Sequence, residues 1–585
     1  MPDPKGPTAA SAFSPWLVWM LVAAILTLAA LPMISSHSAQ DPDDYMRLLQ
    51  VRALLDGQGW FDSHQYRLDP PSGADMHWVR LVDLPIAAAL ALFRLFLAPL
   101  WAETAAMIAV PLGQLALAMW LLRQLMRELR LEPVAQLWAW LLIPLFPLLS
   151  TNLMPMRIDH HGWQALAALA AVLLVLRGTW RAAALGGAIT AAWLFISLEG
   201  VAMLAVIGAV YAWRYWQQAS RAIEGFLFGL TLGAMILLAA LIPPGGYTIA
   251  RCDMVSWPHI MAFAAALMPA AALRVMPGQQ GKAGRLLALV PIPLLAAPLL
   301  ILPLGVCAVA PMAMVEPLVR SNWQAYLRES APIWQQSPSA AAMLLALPVL
   351  IALGLRQALK VSADPGARAA WTTLGALALG ASAIALLIMR GGIIAQLLAL
   401  PFAGVMVAQL LPRARALQQV PLRIVATILA IAGLTPAFVG ALAKPLDPRV
   451  THSSVRHAGL AAAQPCDLAP LAALAPAHMF ANLDITPELL VRTRHTAVAA
   501  GYHRNYARLR DVILAFGGPI DQARAIITAN RAQYLIACKG SADLAGFANM
   551  GPDTLANRIY ADQPVPWLEP IAQLSTGSLR VYRVK

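Results

Sequence analysis

Four short clusters of polar residues break an otherwise apolar chain, and each has a composition that suits chemistry. The first is Asp41, Pro42, Asp43, Asp44 and Arg47. Carboxylates this close together can share a divalent cation through hard oxygen ligands, although the same run also suits a helix N-terminus, where the dipole favours acidic side chains. The second is Arg157, Ile158, Asp159, His160 and His161. An Asp and a His two apart on a turn can face one ion, and imidazole favours Mn²⁺ over Mg²⁺; a polar loop cap is the plainer alternative. The third runs from Trp323 to Glu329 in a connection of about thirty residues, a length that compact proteins usually keep for functional lids. The fourth is Arg390 with Gly391 and Gly392. A guanidinium fork beside glycines suits phosphate, while an interfacial arginine that snorkels to the membrane surface needs no ligand at all.

These clusters sit between apolar stretches that decide the class. A chain of 585 residues that is 59% hydrophobic and 12% charged cannot cover itself with polar surface as one soluble globule, so a bilayer is its natural solvent. Runs near the ~20 residues that span hydrocarbon occur around 16–34, 104–122, 135–152, 162–177, 181–198, 200–213, 223–242, 257–274, 286–306, 339–355, 369–389, 392–411 and 421–441. The expectation is a polytopic α-helical membrane protein of about thirteen spans. The stretch from Leu84 to Leu100 is interrupted by Arg94 and reads as a helix lying at the interface.

Lys and Arg in the short connections set the orientation, since such residues stay on the cytoplasmic side. Arg123, Arg127 and Arg130, then Arg177 with Arg181, Arg214 with Arg221, Arg274 with Lys282 and Arg285, Arg356 with Lys360 and Arg368, and Arg413 with Arg415 and Arg423 all fall on one face. The N-terminus is then cytoplasmic, the first span is retained as an anchor, and all four polar clusters are periplasmic in a bacterial inner membrane. Residues 1–443 form the membrane domain, with outer loops 35–103 and 307–338. Beyond Lys444 the apolar density falls, and β-like runs such as Gln533–Ala537 and Leu579–Val584 alternate with helical ones. Residues 444–585 are expected to be a small extracytoplasmic α/β domain. Cys466 and Cys538 both lie there and can pair in an oxidising compartment. The net charge of +13 is scattered between spans, which points to anionic lipid headgroups and excludes nucleic acid as a partner.

Together the clusters resemble the oligosaccharyltransferase catalytic-subunit family of the GT-C glycosyltransferases. Asp41, Pro42 and Arg47 are similar to its first acidic motif, Asp159 and His161 to its Asp-x-His motif, Glu329 after Leu327 to the Glu of its flexible loop, and Arg390 to its donor-contacting Arg. The resemblance implies a fold with thirteen spans and an outer soluble domain. It also implies an inverting transfer from a polyprenyl-phosphate or polyprenyl-diphosphate sugar to a glycan, lipid or protein acceptor. The implied roles are Mn²⁺ or Mg²⁺ on Asp41, Asp159 and His161, catalytic work by Asp41, Asp43, Asp44 and Glu329, and donor phosphate on Arg390 and Arg47. Asp43 or Asp44 is then the general base, Asp43 being preferred because it forms an Asp-x-Asp with Asp41. His77, Arg80, Asp83, Glu199, His160, His503 and Arg504 are candidate acceptor or supporting groups. The family's Trp-Trp-Asp-Tyr-Gly pattern, which reads the asparagine sequon, has no counterpart after Lys444. Transfer to asparagine therefore stands as an alternative, beside a polytopic transporter and a non-catalytic scaffold.

Overall fold

Proline marks many of the helix starts in this chain. Pro15, Pro42, Pro99, Pro133, Pro317, Pro338, Pro365 and Pro436 each occupy the first helical position, where the missing N–H has no intrahelical partner to lose and φ is already set. The computed structural model describes residues 14–274, 281–310, 313, 315–323, 327–448 and 466–585. Lys5, Gln324, Ala325, Tyr326 and the stretch 449–465 lie outside the described residues.

Two compact units emerge. The first comprises Met1–Ser38, Ala88–Val309 and Glu329–Asp447. Among the described residues, seven helices are long and apolar enough to cross a membrane, or eight if the bent pair Val420–Ala432 and Pro436–Leu446 counts as one span. Thirteen is therefore not reached on length and hydropathy. The run expected at 135–152 is not one rod but Pro133–Leu141, a 3₁₀ turn at Ile143–Leu145, and Pro147–Thr151, because Pro144 and Pro147 cannot donate into a helical ladder. The last run bends by 111° ahead of Pro436. His161–Arg177, Trp180–Ile196 and Trp257–Ala272 are apolar but shorter. The helix Asp83–Phe93 has 11 residues and is only about 17 Å long, too short to cross. Elsewhere small residues allow close packing: a Cβ on Gly187 or Gly229 would overlap the backbone of the facing helix between Trp180–Ile196 and Ala222–Leu241, as is common where helices pack in lipid. A disulfide joins Cys252 and Cys307, a pairing the sequence analysis did not anticipate.

The second unit comprises Ala39–Ala87, Ala310–Arg328 and Pro448–Lys585. Its N-terminal segment holds a hairpin of β1 (His64–Gln65) and β2 (Ala74–Asp75). The C-terminal segment carries a five-stranded sheet of β3 (His478–Ala481), β4 (Thr496–Ala497), β5 (Tyr534–Cys538), β6 (Leu568–Pro570) and β7 (Leu579–Val584), in the order β4-β3-β5-β7-β6. β3 runs parallel to both β4 and β5, while β7 pairs antiparallel with β5 and β6. Cys466 and Cys538 are joined as a disulfide.

The three segments share cores. Met46, Leu49, Leu68, Met76 and Trp78 pack with Leu490, Ala497 and Tyr502, and Val315, Val319 and Trp323 pack with Phe480 and Phe516. Backbone bonds extend the β4 edge: the Ala497 N–H donates to the Arg67 carbonyl, and the Asp69 N–H to that of Ala497, both at 2.9 Å. The Arg67 guanidinium donates to the carbonyls of Leu490 (2.7 Å), Thr493 (2.8 Å) and His495 (3.1 Å). It thereby satisfies the carboxyl end of the helix Thr486–Arg492, where a cation is favoured.

Candidate active site

In the first unit the cluster around Asp159 is built by a turn. Met156 adopts a left-handed conformation, φ 71°, which costs a β-carbon-bearing residue roughly 1 kcal/mol or more. Its N–H donates to the Met107 carbonyl at 2.9 Å, anchoring the turn. The chain then presents Arg157, Asp159 and His160 before the helix begins at His161. Asp159 is 2% exposed. One carboxylate oxygen accepts the His160 N–H at 2.5 Å and contacts the His160 ring, while the other lies 3.4 Å from His161 Nε2 and 3.5 Å from the Arg157 guanidinium. Burial opposes ionisation, but the His160, His161 and Arg157 charges win and hold the Asp159 carboxyl well below the usual range.

Two residues that the sequence analysis missed set the His161 ring. The Trp193 indole N–H donates to Gln164 Oε1 at 3.2 Å, which leaves the Gln164 amide nitrogen to donate to His161 Nδ1, also at 3.2 Å. When the ring is neutral, its proton therefore sits on Nε2, toward Asp159. Gln164 had a signal in the sequence, as a polar side chain one turn after His161 in an apolar run. Trp193 had none, because an indole in an apolar helix reads as core. Gly200 is what lets Trp193 fit, since a Cβ there would sit 2.9 Å from the indole.

Arg390 sits on the 3₁₀ turn Met389–Gly391, between the helices Pro365–Leu387 and Gly392–Arg415. Its Nη1 donates to Glu199 at 2.8 Å and its Nη2 to Glu329. Its Nε is buried and has no hydrogen-bond partner among the described residues. Burial opposes ionisation of Glu199, yet the Arg390 charge, reinforced by the His161 and His160 charges, holds that carboxyl down at about 2. His161, Gln164, Glu199 and Arg390 line one cleft of about 530 Å³, open solvent included, whose remaining wall is apolar: Ala165, Met203, Ile384, Ile388 and Ile394 among others. A cleft that combines a guanidinium and other polar groups with a largely apolar lining suits an amphiphile with an anionic head.

The same unit offers a metal donor set. Asp159, His160 and His161 each present a ligand atom, and these lie within 4.8 Å of one another. One hard carboxylate with two imidazoles fits Mn²⁺ better than the all-oxygen preference of Mg²⁺.

In the second unit the acidic run heads the helix Pro42–Leu55. Asp41 is its N-cap, in extended conformation, and its side chain accepts the Asp43 N–H at 3.0 Å. Asp43 is partly exposed and Asp44 is buried, so of the two candidate bases only Asp43 is accessible. Arg47, expected at a donor phosphate, is committed elsewhere. It is 1% exposed, donates to Asp83 at 2.8 Å, and stacks 4.2 Å from the centre of the Trp78 ring. Arg80 also donates to Asp83, at 3.2 Å. Asp83 and Arg80 are thus buried inside this unit's packing. The His77 and His503 rings meet at a tilt of 49° with centres 4.6 Å apart, and Arg504 pairs with Asp75 at 2.8 Å.

Comparison with known proteins places this fold. No protein-family model matches the chain, and no curated protein matches it by sequence. Solved structures do match. One is the archaeal oligosaccharyltransferase AglB of Archaeoglobus fulgidus in complex with an inhibitory peptide and a dolichol-phosphate, at TM-score 0.64 and 11% identity over 96% of this chain and 73% of that one. A second is the Archaeoglobus fulgidus oligosaccharyltransferase tethered to an acceptor peptide containing the NVT sequon (TM-score 0.62, 12% identity, 98% and 74% covered). The same enzyme with Zn and sulfate matches at TM-score 0.59 and 12% identity, over 94% and 71%. The chain shares the GT-C, oligosaccharyltransferase-like fold at low sequence identity.

Proposed function

We propose that this chain is a membrane glycosyltransferase. It moves a sugar or oligosaccharide from a polyprenyl-phosphate or polyprenyl-diphosphate donor to an acceptor on the periplasmic face of a bacterial inner membrane. The observation that carries the reading is the cleft of the first unit, where Arg390, Glu199, His161 and Gln164 meet an apolar wall on an oligosaccharyltransferase-like fold. A phosphate takes up the guanidinium through the buried Nε–H, which has no partner among the described residues, and the isoprenoid chain follows the apolar lining. Departure of a lipid phosphate builds negative charge, and a guanidinium already in place lowers the cost of that charge without reorganising. A divalent ion, Mn²⁺ or Mg²⁺, would be held by Asp159 and His161 and would supply Lewis-acid stabilisation of the same leaving group. Asp41 enters as a further ligand on the resemblance alone, its carboxylate also capping a helix. Asp43 is the base that takes a proton from a hydroxyl acceptor, inverting the anomeric centre. Glu329 holds Arg390 in register. The two disulfides suit the oxidising compartment that this orientation requires.

The test is donor turnover by the purified full-length protein, given a polyprenyl-linked sugar with Mn²⁺ or Mg²⁺. Asp41→Ala and Asp159→Ala are expected to lose at least about 100-fold in turnover; equal turnover in wild type and both variants would sink the metal assignment.

A further inference from the structure

Arg390 meets a carboxylate at each end of its fork. Nη1 donates to Glu199 at 2.8 Å and Nη2 to Glu329, so within the first unit one guanidinium stands between two negative charges. Any two-point contact between an anionic headgroup and this guanidinium draws on at least one Nη group, and both Nη groups already serve a carboxylate. We propose that Glu199 is a positioning residue that competes with the lipid phosphate for Arg390: its carboxylate yields the guanidinium as the headgroup binds and takes it back as the spent polyprenyl phosphate leaves. This deepens the glycosyltransferase reading and rests on it.

Of the two carboxylates, Glu199 is the one placed to compete. It lines the cleft with Arg390, His161 and Gln164, whereas Glu329, on the turn Arg328–Ser330, does not. Its backbone is fixed. The Glu199 N–H donates to Ser197 Oγ at 3.3 Å, and Gly200 beside it lies so close to the Trp193 indole that a Cβ would sit 2.9 Å away. Its side chain is not fixed in the same way. Glu199 is the N-cap of the helix Gly200–Gln218, yet its carboxylate makes no capping hydrogen bond there, and the side chain is 34% exposed. A carboxylate already in contact with water can release the guanidinium without being desolvated, and the helix N-terminus beside it favours a negative charge.

The reaction gives such a competitor a purpose. Loss of the sugar leaves a terminal phosphate with more negative charge than the linkage from which it came, so a guanidinium alone holds the product more tightly than the donor. A carboxylate that takes the same donors lowers the affinity for both and lets the product go. The lining of Met203, Ile384, Ile388 and Ile394 says that this phosphate arrives on an apolar chain rather than free in water.

Glu199→Gln keeps the size and one accepting oxygen and removes the charge. The experiment measures equilibrium binding of undecaprenyl phosphate, and separately of inorganic phosphate, to the full-length protein in detergent with EDTA present, for wild type, Glu199→Gln and Glu329→Gln. Undecaprenyl phosphate is expected to bind about 10-fold more tightly to Glu199→Gln and at most about threefold more tightly to Glu329→Gln. Inorganic phosphate is expected to bind at least about 100-fold more weakly than the lipid to all three proteins. The sign decides, because loss of a merely structural ion pair loosens binding. Unchanged or weaker binding of undecaprenyl phosphate by Glu199→Gln overturns the inference, as does an equal gain in Glu329→Gln. Inorganic phosphate bound as tightly as the lipid overturns the lipid as its source. Absence of undecaprenyl phosphate binding by all three proteins overturns the donor-site reading itself.

Discussion

Asp83 and Asp159 are both almost inaccessible carboxylates, 1% and 2% exposed, and each lies among cationic or basic groups of its own compact unit. Their partners differ in kind. Asp83 is closed by two guanidiniums, Arg47 and Arg80, which never lose a proton in a protein and bind no metal. Asp159 is met by two imidazoles and one guanidinium, and imidazole can carry a proton, release it or ligate an ion. The second difference is access. The Asp83 network ends in aromatic packing on Trp78, whereas His161 opens onto a cleft that Arg390 and Glu199 also line. Buried charge by itself therefore says little about chemistry; the titrating or ligating capacity of the partners, and a path to a ligand, separate the two.

The comparison is broken most strongly from the Asp83 side. Asp83→Ala leaves two buried guanidiniums without their carboxylate and is expected to cost the second unit roughly 3–5 kcal/mol. The check is chemical denaturation of the purified protein followed by proteolysis of the C-terminal segment. A loss under about 1 kcal/mol would mean the network is not structural.

A smaller effect is expected at Asp484. Burial, then the Asp543 carboxylate beside it, pushes the Asp484 carboxyl well above the usual range. For an acid whose folded value is raised, there is no penalty below the unfolded value near 4. The penalty grows as pH rises from there to the folded value, and it is complete above it. The second unit should thus gain stability as pH falls from 7 toward 4. Asp484→Asn, which can still accept the Asp543 N–H, should stabilise it by about 1 kcal/mol at pH 7 and by nothing at pH 4. Melting curves at the two values decide it, and equal stability of wild type and variant at pH 7 contradicts the assignment.

What the sequence made legible follows from how local each signal is. Apolar runs and proline starts are local, so the helical membrane class and the α/β character of the C-terminal segment could be read directly; the β-like runs at 533–537 and 579–584 fall on the strands Tyr534–Cys538 and Leu579–Val584. The polar clusters were visible because charge in an apolar chain is conspicuous. What each cluster does was less legible. Arg47 and Arg390 are both arginines near an acidic group in sequence or space, and only the fold shows that Arg47 ends on Trp78 while Arg390 faces a cleft. Nor does any local signal announce that 39–87 packs with the C-terminal segment, since the contacts that join them, Arg67 to Leu490 or Tyr502 to Asp43, span more than 400 residues. The Trp193–Gln164–His161 relay is of the same kind.

The most direct test of the claim that the first unit's cluster is chemical is Arg390→Lys, with donor turnover and melting temperature measured on one preparation. Lysine keeps the charge, and so can still neutralise Glu199 and Glu329, but it loses the planar fork and the Nε–H that a phosphate would use. Turnover of a polyprenyl-linked sugar is expected to fall about 100-fold while the melting temperature stays within about 2 °C. Turnover equal to wild type, or a loss that follows unfolding of the protein, would place Arg390 with Arg47, as architecture.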